Sequence, residues 1–205
     1  MAGPAGVRNY CGIDFPDGLK KNQKLAANVV TPTTKADYGD APMSPADLVS
    51  KKYISQADYD FCAEKALAVF KCGQDECSKR GLILVDTKYE FGKMPNGEIL
   101  LIDEVHTPDS SRFWAAATYE ERLAAGQEPE SFDKEFLRLW FKANCDPYKD
   151  ETLPEAPRAL VEELSWRYIC IYEILTGEEF KFPKPHDRIV ANAIAAKAAA
   201  LAGGK

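Results

Sequence analysis

Hydrophobic and polar positions change period several times along the chain, and each change predicts an element. From Ser55 to Arg80, Tyr59, Cys62, Ala66, Val69, Phe70 and Gly73 recur at three- and four-residue spacing, the stripe of an amphipathic helix packed on a core. Gly81 is placed to stop that helix. Leu82 to Val85 is then a compact apolar run, after which Asp86, Lys88 and Glu90 alternate with Thr87, Tyr89 and Phe91. The period of two in a strand puts the three charges on one face and the aromatics on the other. Asn96-Gly97 predicts a two-residue type I′ turn. The chain returns as a second strand through Ile99 to Val105, in a register that sets Met94 against Ile99 and Glu90 against Asp103.

That register matters for chemistry. Directly opposed side chains share a face with Cβ atoms ~4.5–5.5 Å apart, where like charges repel. Alternation by itself describes only the solvated face of an amphipathic strand. Two opposed carboxylates point further, because a divalent cation between them turns repulsion into binding, and hard oxygen ligands suit magnesium. The strand then leaves through His106-Thr107-Pro108-Asp109-Ser110-Ser111-Arg112. Hydroxyls, backbone N–H groups and a guanidinium fork suit a phosphate, although the same residues also make an ordinary Asp/Ser turn.

The flanking segments read as scaffold. Ser44 caps a short helix to Lys52, with Pro45 in its first turn. Helical spacing predicts further helices over Thr118 to Ala125, from Ser131 to Asn144, and from Pro157 to Gly177. Arg138 and Lys142 fall on a face that reads as solvated. Thr31-Pro32-Thr33-Thr34-Lys35 is an extended exit whose hydroxyls and ammonium suit either a polar strand end or an anion pocket. Phe182 to His186 is a proline-punctuated linker, and Ile189 to Leu201 is an alanine-rich tail with few large apolar residues. The domain organisation expected is 1–182 as one unit, then 183–205 as linker and tail.

Composition narrows the classes. The chain has 205 residues, 45% apolar and 28% charged, with a formal net charge of −6. That balance, with no dense Lys/Arg cluster, argues against a nucleic-acid surface. No apolar run approaches the ~20 residues of a membrane span, and no signal peptide opens the chain. Six scattered cysteines form no C-x-x-C pair, and predict reduced, mostly buried thiols.

VDTKYEFG and LIDEVHTPDSSR resemble the two signature motifs of phosphoribosylaminoimidazole-succinocarboxamide synthase (SAICAR synthetase). The likeness extends through TPTTKA, DKEFLRLWFK and ELSWRYICIYEILTG, from about Val7 to about Phe180, and is strongest to the plant and algal branch. It implies a ligase that joins L-aspartate to carboxyaminoimidazole ribotide in purine synthesis, splitting ATP to ADP and phosphate. By motif match, Glu90 and Asp103 would hold magnesium. Lys88 would steady the substrate carboxylate or the phosphoryl group, and Asp86 would orient Lys88 or the substrate amine. Ser110, Ser111 and Arg112 would meet the ribotide phosphate, and Lys35 would line the cleft.

The fold expected is α+β, with a mixed, largely antiparallel sheet, the Glu90/Asp103 hairpin near its centre and helices packed against it. The resemblance adds an ATP-grasp-like parent fold of which this chain keeps mainly the second lobe. Its glycine-rich nucleotide loop would lie upstream of Val7, and the sequence holds no G-x-G-x-x-G or P-loop. The chain alone is therefore expected to be inactive, in the plastid stroma by plant-like resemblance or in the cytoplasm. The rival readings are a non-catalytic relic or interaction module that kept the cleft surface, and a different ATP-using ligase or kinase on the same half-fold.

Overall fold

The computed structural model describes residues 8–35, 39–147 and 149–184. A two-residue hairpin opens it, β1 (Asn9–Tyr10) with β2 (Ile13–Asp14). Two helices follow, α1 (Pro45–Ser50) and α2 (Gln56–Ser78). Ser44 Oγ accepts from Asp47 N at 3.1 Å and Ser55 Oγ from Asp58 N at 3.1 Å, each satisfying an orphan amide of the first turn. Four strands come next: β3 (Leu82–Thr87), β4 (Glu90–Lys93), β5 (Ile99–Ile102) and β6 (Ser111–Ala115). Three helices close the described chain: α3 (Ala116–Ala124), α4 (Glu135–Asn144) and α5 (Arg158–Thr176), the last ending at left-handed Gly177.

The architecture is α+β, and every strand pair among the described residues is antiparallel. The strands form three two-stranded sheets rather than one sheet centred on a hairpin. The long first strand expected from Leu82 to Phe91 breaks after Thr87. Its apolar half pairs with β6, matching Leu82 with Ala115, Leu84 with Phe113, Asp86 with Arg112 and Thr87 with Ser111. Only its second half, β4, turns back onto β5.

Burial explains the choice. Leu82, Leu84 and Phe113 project together onto Cys77 of α2 and Ile171 of α5, with Phe70, Phe132, Ile174 and Leu175 around them. No local turn signal announces this pairing, because the two strands lie more than twenty residues apart. The segment before α4 adds to the far edge of β6, with Phe132 N donating to Phe113 O at 2.9 Å.

The hairpin register also differs from expectation. Gly97 N donates to Met94 O at 2.9 Å, Met94 N donates to Glu98 O at 2.8 Å, and Gly97 has φ of +89°. These contacts close a three-residue loop with glycine at its left-handed position, not the two-residue type I′ turn. Lys93 therefore pairs with Ile99, Phe91 with Leu101 and Glu90 with Ile102. A one-residue slip exchanges the faces of a strand, and the Glu90/Asp103 opposition does not exist.

Helix boundaries otherwise follow the pattern, though α4 starts at Glu135 rather than Ser131. All six cysteines are free, with Cys11 and Cys77 buried and Cys72 exposed. Among the described residues, no helix is long and apolar enough to cross a membrane. His186 and the alanine-rich stretch lie outside the described residues.

Candidate functional site

The β3–β6 ladder sets the two motifs side by side. Asp86 lies opposite Arg112 and Thr87 opposite Ser111, and Lys88 N donates to Ser110 O at 3.2 Å. Thr87 Oγ1 and Ser111 Oγ are 2.8 Å apart, and Ser110 Oγ is 3.4 Å from Ser111 Oγ. Thr107 Oγ1 extends this chain of hydroxyls to Ser110 Oγ at 3.2 Å and onward to the Glu104 carboxylate. Ser111 is buried within it, while Ser110 is only partly covered.

Beyond the ladder, Lys88 Nζ bridges Glu90 Oε1 at 3.0 Å and Asp40 Oδ2 at 3.1 Å. Lys35 donates to the other oxygen of Glu90. Lys35 and Asp40 adjoin two segments that pair with each other, Thr34 N donating to Ala41 O at 3.0 Å and Met43 N to Pro32 O at 3.0 Å. The hydrogen bonds from Lys35 and Lys88 pull the Glu90 carboxyl below its usual range. The same partnership with Glu90 and Asp40 raises the Lys88 ammonium.

A second ion cluster lies on the ladder. Arg112 Nη1 is 3.2 Å from Asp86 Oδ2, and its Nε is 4.0 Å from Glu135 Oε2. Arg138 Nη1 also reaches Glu135, at 3.0 Å. Desolvation by neighbouring atoms raises the Asp86 carboxyl, although half of its side chain stays exposed, with Arg112 opposing the effect and Glu135 adding to it. Behind it, Asp133 is buried at 1% exposure, and its carboxylate accepts from Phe113 N at 3.2 Å and Glu135 N at 2.8 Å. Asp133 thereby fixes the start of α4, and with it Glu135, against β6.

Each sequence-derived site residue has a definite place. Lys35, Lys88 and Glu90 come together, Ser110 and Ser111 line the hydroxyl chain, and Arg112 faces Asp86. Asp86 meets Arg112, so the expectation that it orients Lys88 gives way to a different pairing. Asp103 follows β5 as an exposed residue with φ of +67°, one position past the partner of Glu90. Asp40 and Glu135 complete the clusters without having been singled out by sequence, and Arg138, read there as solvated, joins them through Glu135. Their charges come from a distant loop and from α4, and only the even spacing of Glu135 and Arg138 on one helix turn hinted at a pair.

Glu90 and Asp103 do not form the opposed-carboxylate magnesium pair expected from the sequence. The Glu90 oxygens are engaged by two ammonium groups, and no three potential ligands among the described residues form a metal-sized cluster. A groove of about 560 Å³ lies nearby, lined by Val49, Tyr53, Ile54, Cys62, Phe91 and Ile99. Of the motif residues only Phe91 and Gly92 line it, none of the charged or hydroxyl residues of the two clusters does, and the Lys93–Asp58 pair spans two of its walls. On the opposite hairpin face, Glu90, side-chain-free Gly92, Leu100 and Ile102 stand together. Leu100 is 40% and Ile102 43% exposed there.

Comparison with known proteins agrees with the motifs. The sequence model of SAICAR synthetase matches residues 1–155. The chain is 59% identical over 191 residues to the chloroplastic phosphoribosylaminoimidazole-succinocarboxamide synthase of Arabidopsis thaliana, covering 91% of this chain and 46% of that protein. It is 55% identical to the Legionella pneumophila (strain Lens) synthase, covering 91% of this chain and 61% of that protein. The chain thus spans about half to three-fifths of these relatives' lengths. Among solved structures, the SAICAR synthase of Saccharomyces cerevisiae complexed with SAICAR superposes with a TM-score of 0.67 at 35% identity, over 84% of this chain and 54% of that one. A SAICAR synthetase in complex with ADP superposes with a TM-score of 0.59 at 31% identity, over 80% and 57%.

Proposed function

Since this chain belongs to the SAICAR synthetase family, we propose that it forms part of the site at which ATP drives amide formation between L-aspartate and carboxyaminoimidazole ribotide. The observation that carries the reading is the β3–β6 pairing, which sets Asp86, Thr87 and Lys88 alongside Arg112, Ser111 and Ser110. The two motifs thereby share one surface. The structural relatives support the ligands: one is complexed with SAICAR and another with ADP.

In the proposed reaction a ribotide carboxylate oxygen attacks the γ-phosphorus, and the bond from that phosphorus to the ADP oxygen breaks. The aspartate amine then attacks the acyl carbon, phosphate leaves and the amine proton is lost. Catalysis of this kind is chiefly positioning plus electrostatics. Lys88 steadies the acyl phosphate or the carboxylate that precedes it. Asp86, raised by partial desolvation, is suited to take the amine proton. Ser110, Ser111 and Arg112 meet the ribotide phosphate. A guanidinium has five N–H donors, so Arg112 keeps donors beyond those facing Asp86 and Glu135. Lys35 extends the cationic rim toward the ATP phosphates. The face of Gly92 with the exposed Leu100 and Ile102, beside Lys35 and Lys88, gives an apolar rest for the base.

Among the described residues each ion cluster sets two cations against two anions, so an incoming phosphate exchanges partners there rather than meeting cations alone. For magnesium, the assignment to Glu90 and Asp103 rests on motif match alone, and no step is routed through it. With no glycine-rich loop in the sequence, the 205-residue chain by itself is proposed not to turn over. The setting proposed is the plastid stroma, as the chloroplastic relative suggests, with the cytoplasm as the alternative.

Calorimetry with the reaction product, the succinocarboxamide ribotide, tests the site. The wild-type chain is expected to bind it, and Arg112→Ala to weaken binding about tenfold or more, the value of a charge-assisted hydrogen bond. No binding, or binding indifferent to Arg112, would sink the reading. Robust product formation from ATP, aspartate and carboxyaminoimidazole ribotide would overturn the claim of inactivity.

A further inference from the structure

Lys88 and Tyr89 belong to no strand, since β3 ends at Thr87 and β4 begins at Glu90. A functional lysine on an irregular two-residue link needs something to hold it. Its backbone amide has one bond, to Ser110 O at 3.2 Å. The side chain next to it supplies a second anchor. Tyr89 turns inward from between Lys88 and Glu90, and its hydroxyl hydrogen-bonds His106 Nε2. The two rings lie 5.6 Å apart at an interplanar angle of 58°. His106 itself has φ of +53°, a conformation that non-glycine residues adopt rarely and that needs support from its surroundings.

The support comes from α2. Gly73 is buried in that helix, and a Cβ placed on it would fall 2.6 Å from His106 Nδ1 and 2.8 Å from Leu84 Cδ2. A glycine inside a helix costs ~0.5–1 kcal/mol relative to alanine. Here the missing methyl is the seat of the imidazole. Burial pushes the Tyr89 phenol up to about 12 and holds the His106 imidazole below its usual range, so both are neutral near pH 7.

We infer that Tyr89 and His106, seated on Gly73, are positioning residues: a side-chain strut that ties the Lys88–Glu90 link to α2 and aligns both charges with the Ser110–Arg112 segment. The proposed synthetase reading enters only in naming the phosphoryl-bearing ligand that the aligned charges meet. Loosening the strut frees Lys88 and Glu90 from their register while leaving the β3–β6 ladder, and hence the Asp86–Arg112 pair, in place.

The test uses the isotopically labelled 205-residue chain and NMR hydrogen exchange of its backbone amides, with binding of the succinocarboxamide ribotide measured separately. In Tyr89→Phe, which keeps the ring and loses only the hydroxyl, the Lys88 amide bonded to Ser110 O is expected to exchange about tenfold faster. His106→Asn, whose residue type tolerates positive φ, should do the same, and the double variant should add little more. The amides of Leu84 and Phe113, on the ladder strands, should exchange as in the wild type throughout, which a general loosening of the fold would not allow. Ribotide affinity should drop about tenfold in the single variants. An unchanged Lys88 amide in Tyr89→Phe and His106→Asn would overturn the inference. Absence of ribotide binding in the wild type counts against the synthetase reading alone, since the exchange is read without ligand.

Discussion

The β3–β6 ladder and the β4–β5 hairpin are neighbouring antiparallel pairs, but different forces hold them. The ladder is rooted in the core: Leu84 and Phe113 face each other, almost wholly buried, against α2 and α5. The hairpin carries Leu100 and Ile102 out to solvent, and its first residue is tied down by Lys35 and Lys88. Residues that need a fixed position, Asp86 and Arg112, stand on the ladder. The carboxylate with the most exchangeable partners, Glu90, stands on the hairpin. Rigid elements hold a constellation more accurately than lightly packed ones, and this chain places its charges accordingly.

Removing the root should show the largest effect. Phe113→Ala is expected to cost about 3–5 kcal/mol through lost burial and the cavity it leaves, lowering the melting temperature by roughly 10 °C. If Phe113→Ala melts within a degree or two of the wild type, the ladder is not the core element described.

A smaller effect separates the hairpin. The two-residue register would make Glu90→Gln relieve a repulsion and stabilise the chain, whereas the observed pairing with Lys35 and Lys88 reverses that sign. Because both ammonium partners are well exposed, the loss should be only about 0.5–1 kcal/mol at pH 7. The folded-state pKa of Glu90 is depressed, so its contribution is present above the unfolded value of ~4.3 and is lost as pH falls through the folded one. Melts of wild type and Glu90→Gln should therefore differ at pH 7 and converge in acid. A variant more stable than the wild type at pH 7 would restore the opposed carboxylates.

The smallest stability change should come from the exposed hairpin face. Leu100→Ser with Ile102→Ser should alter stability by no more than about 0.5 kcal/mol each, as surface substitutions do. ADP affinity should nevertheless weaken in direct titration, because an apolar rest for the base is lost. Unchanged affinity would move the base elsewhere.

Local chemistry was legible in the sequence and distant pairing was not. Ser44 and Ser55 cap their helices as expected because a capping bond closes within three residues. The α2 stripe was visible, yet the role of Gly73 was hidden, since its neighbour His106 arrives from another element. Lys35, Lys88, Glu90, Ser110, Ser111 and Arg112 could be listed from motifs. That Asp86 pairs with Arg112 could not, because it depends on β6, whose first residues, Ser111 and Arg112, read as the end of a loop. Asp40 and Glu135 stayed invisible, and Arg138 read as merely solvated, for the same reason: a partner's charge carries no trace in the sequence around the residue it pairs with.

The turn at Pro95-Asn96-Gly97 has one more consequence. The four residues of β5 read Ile-Leu-Leu-Ile, apolar on both faces, so sliding this strand by one position exchanges like for like. Hydrophobic patterning ordinarily pins a register, but here it is blind to phase. The phase is kept by the turn alone. Insertions in surface loops are usually absorbed without trace, yet a switch of this turn from three loop residues to two, with Pro95 brought opposite Glu98, would act as a reading-frame change for the hairpin. It would bring Asp103 across from Glu90 while leaving the apolar count of both faces unaltered.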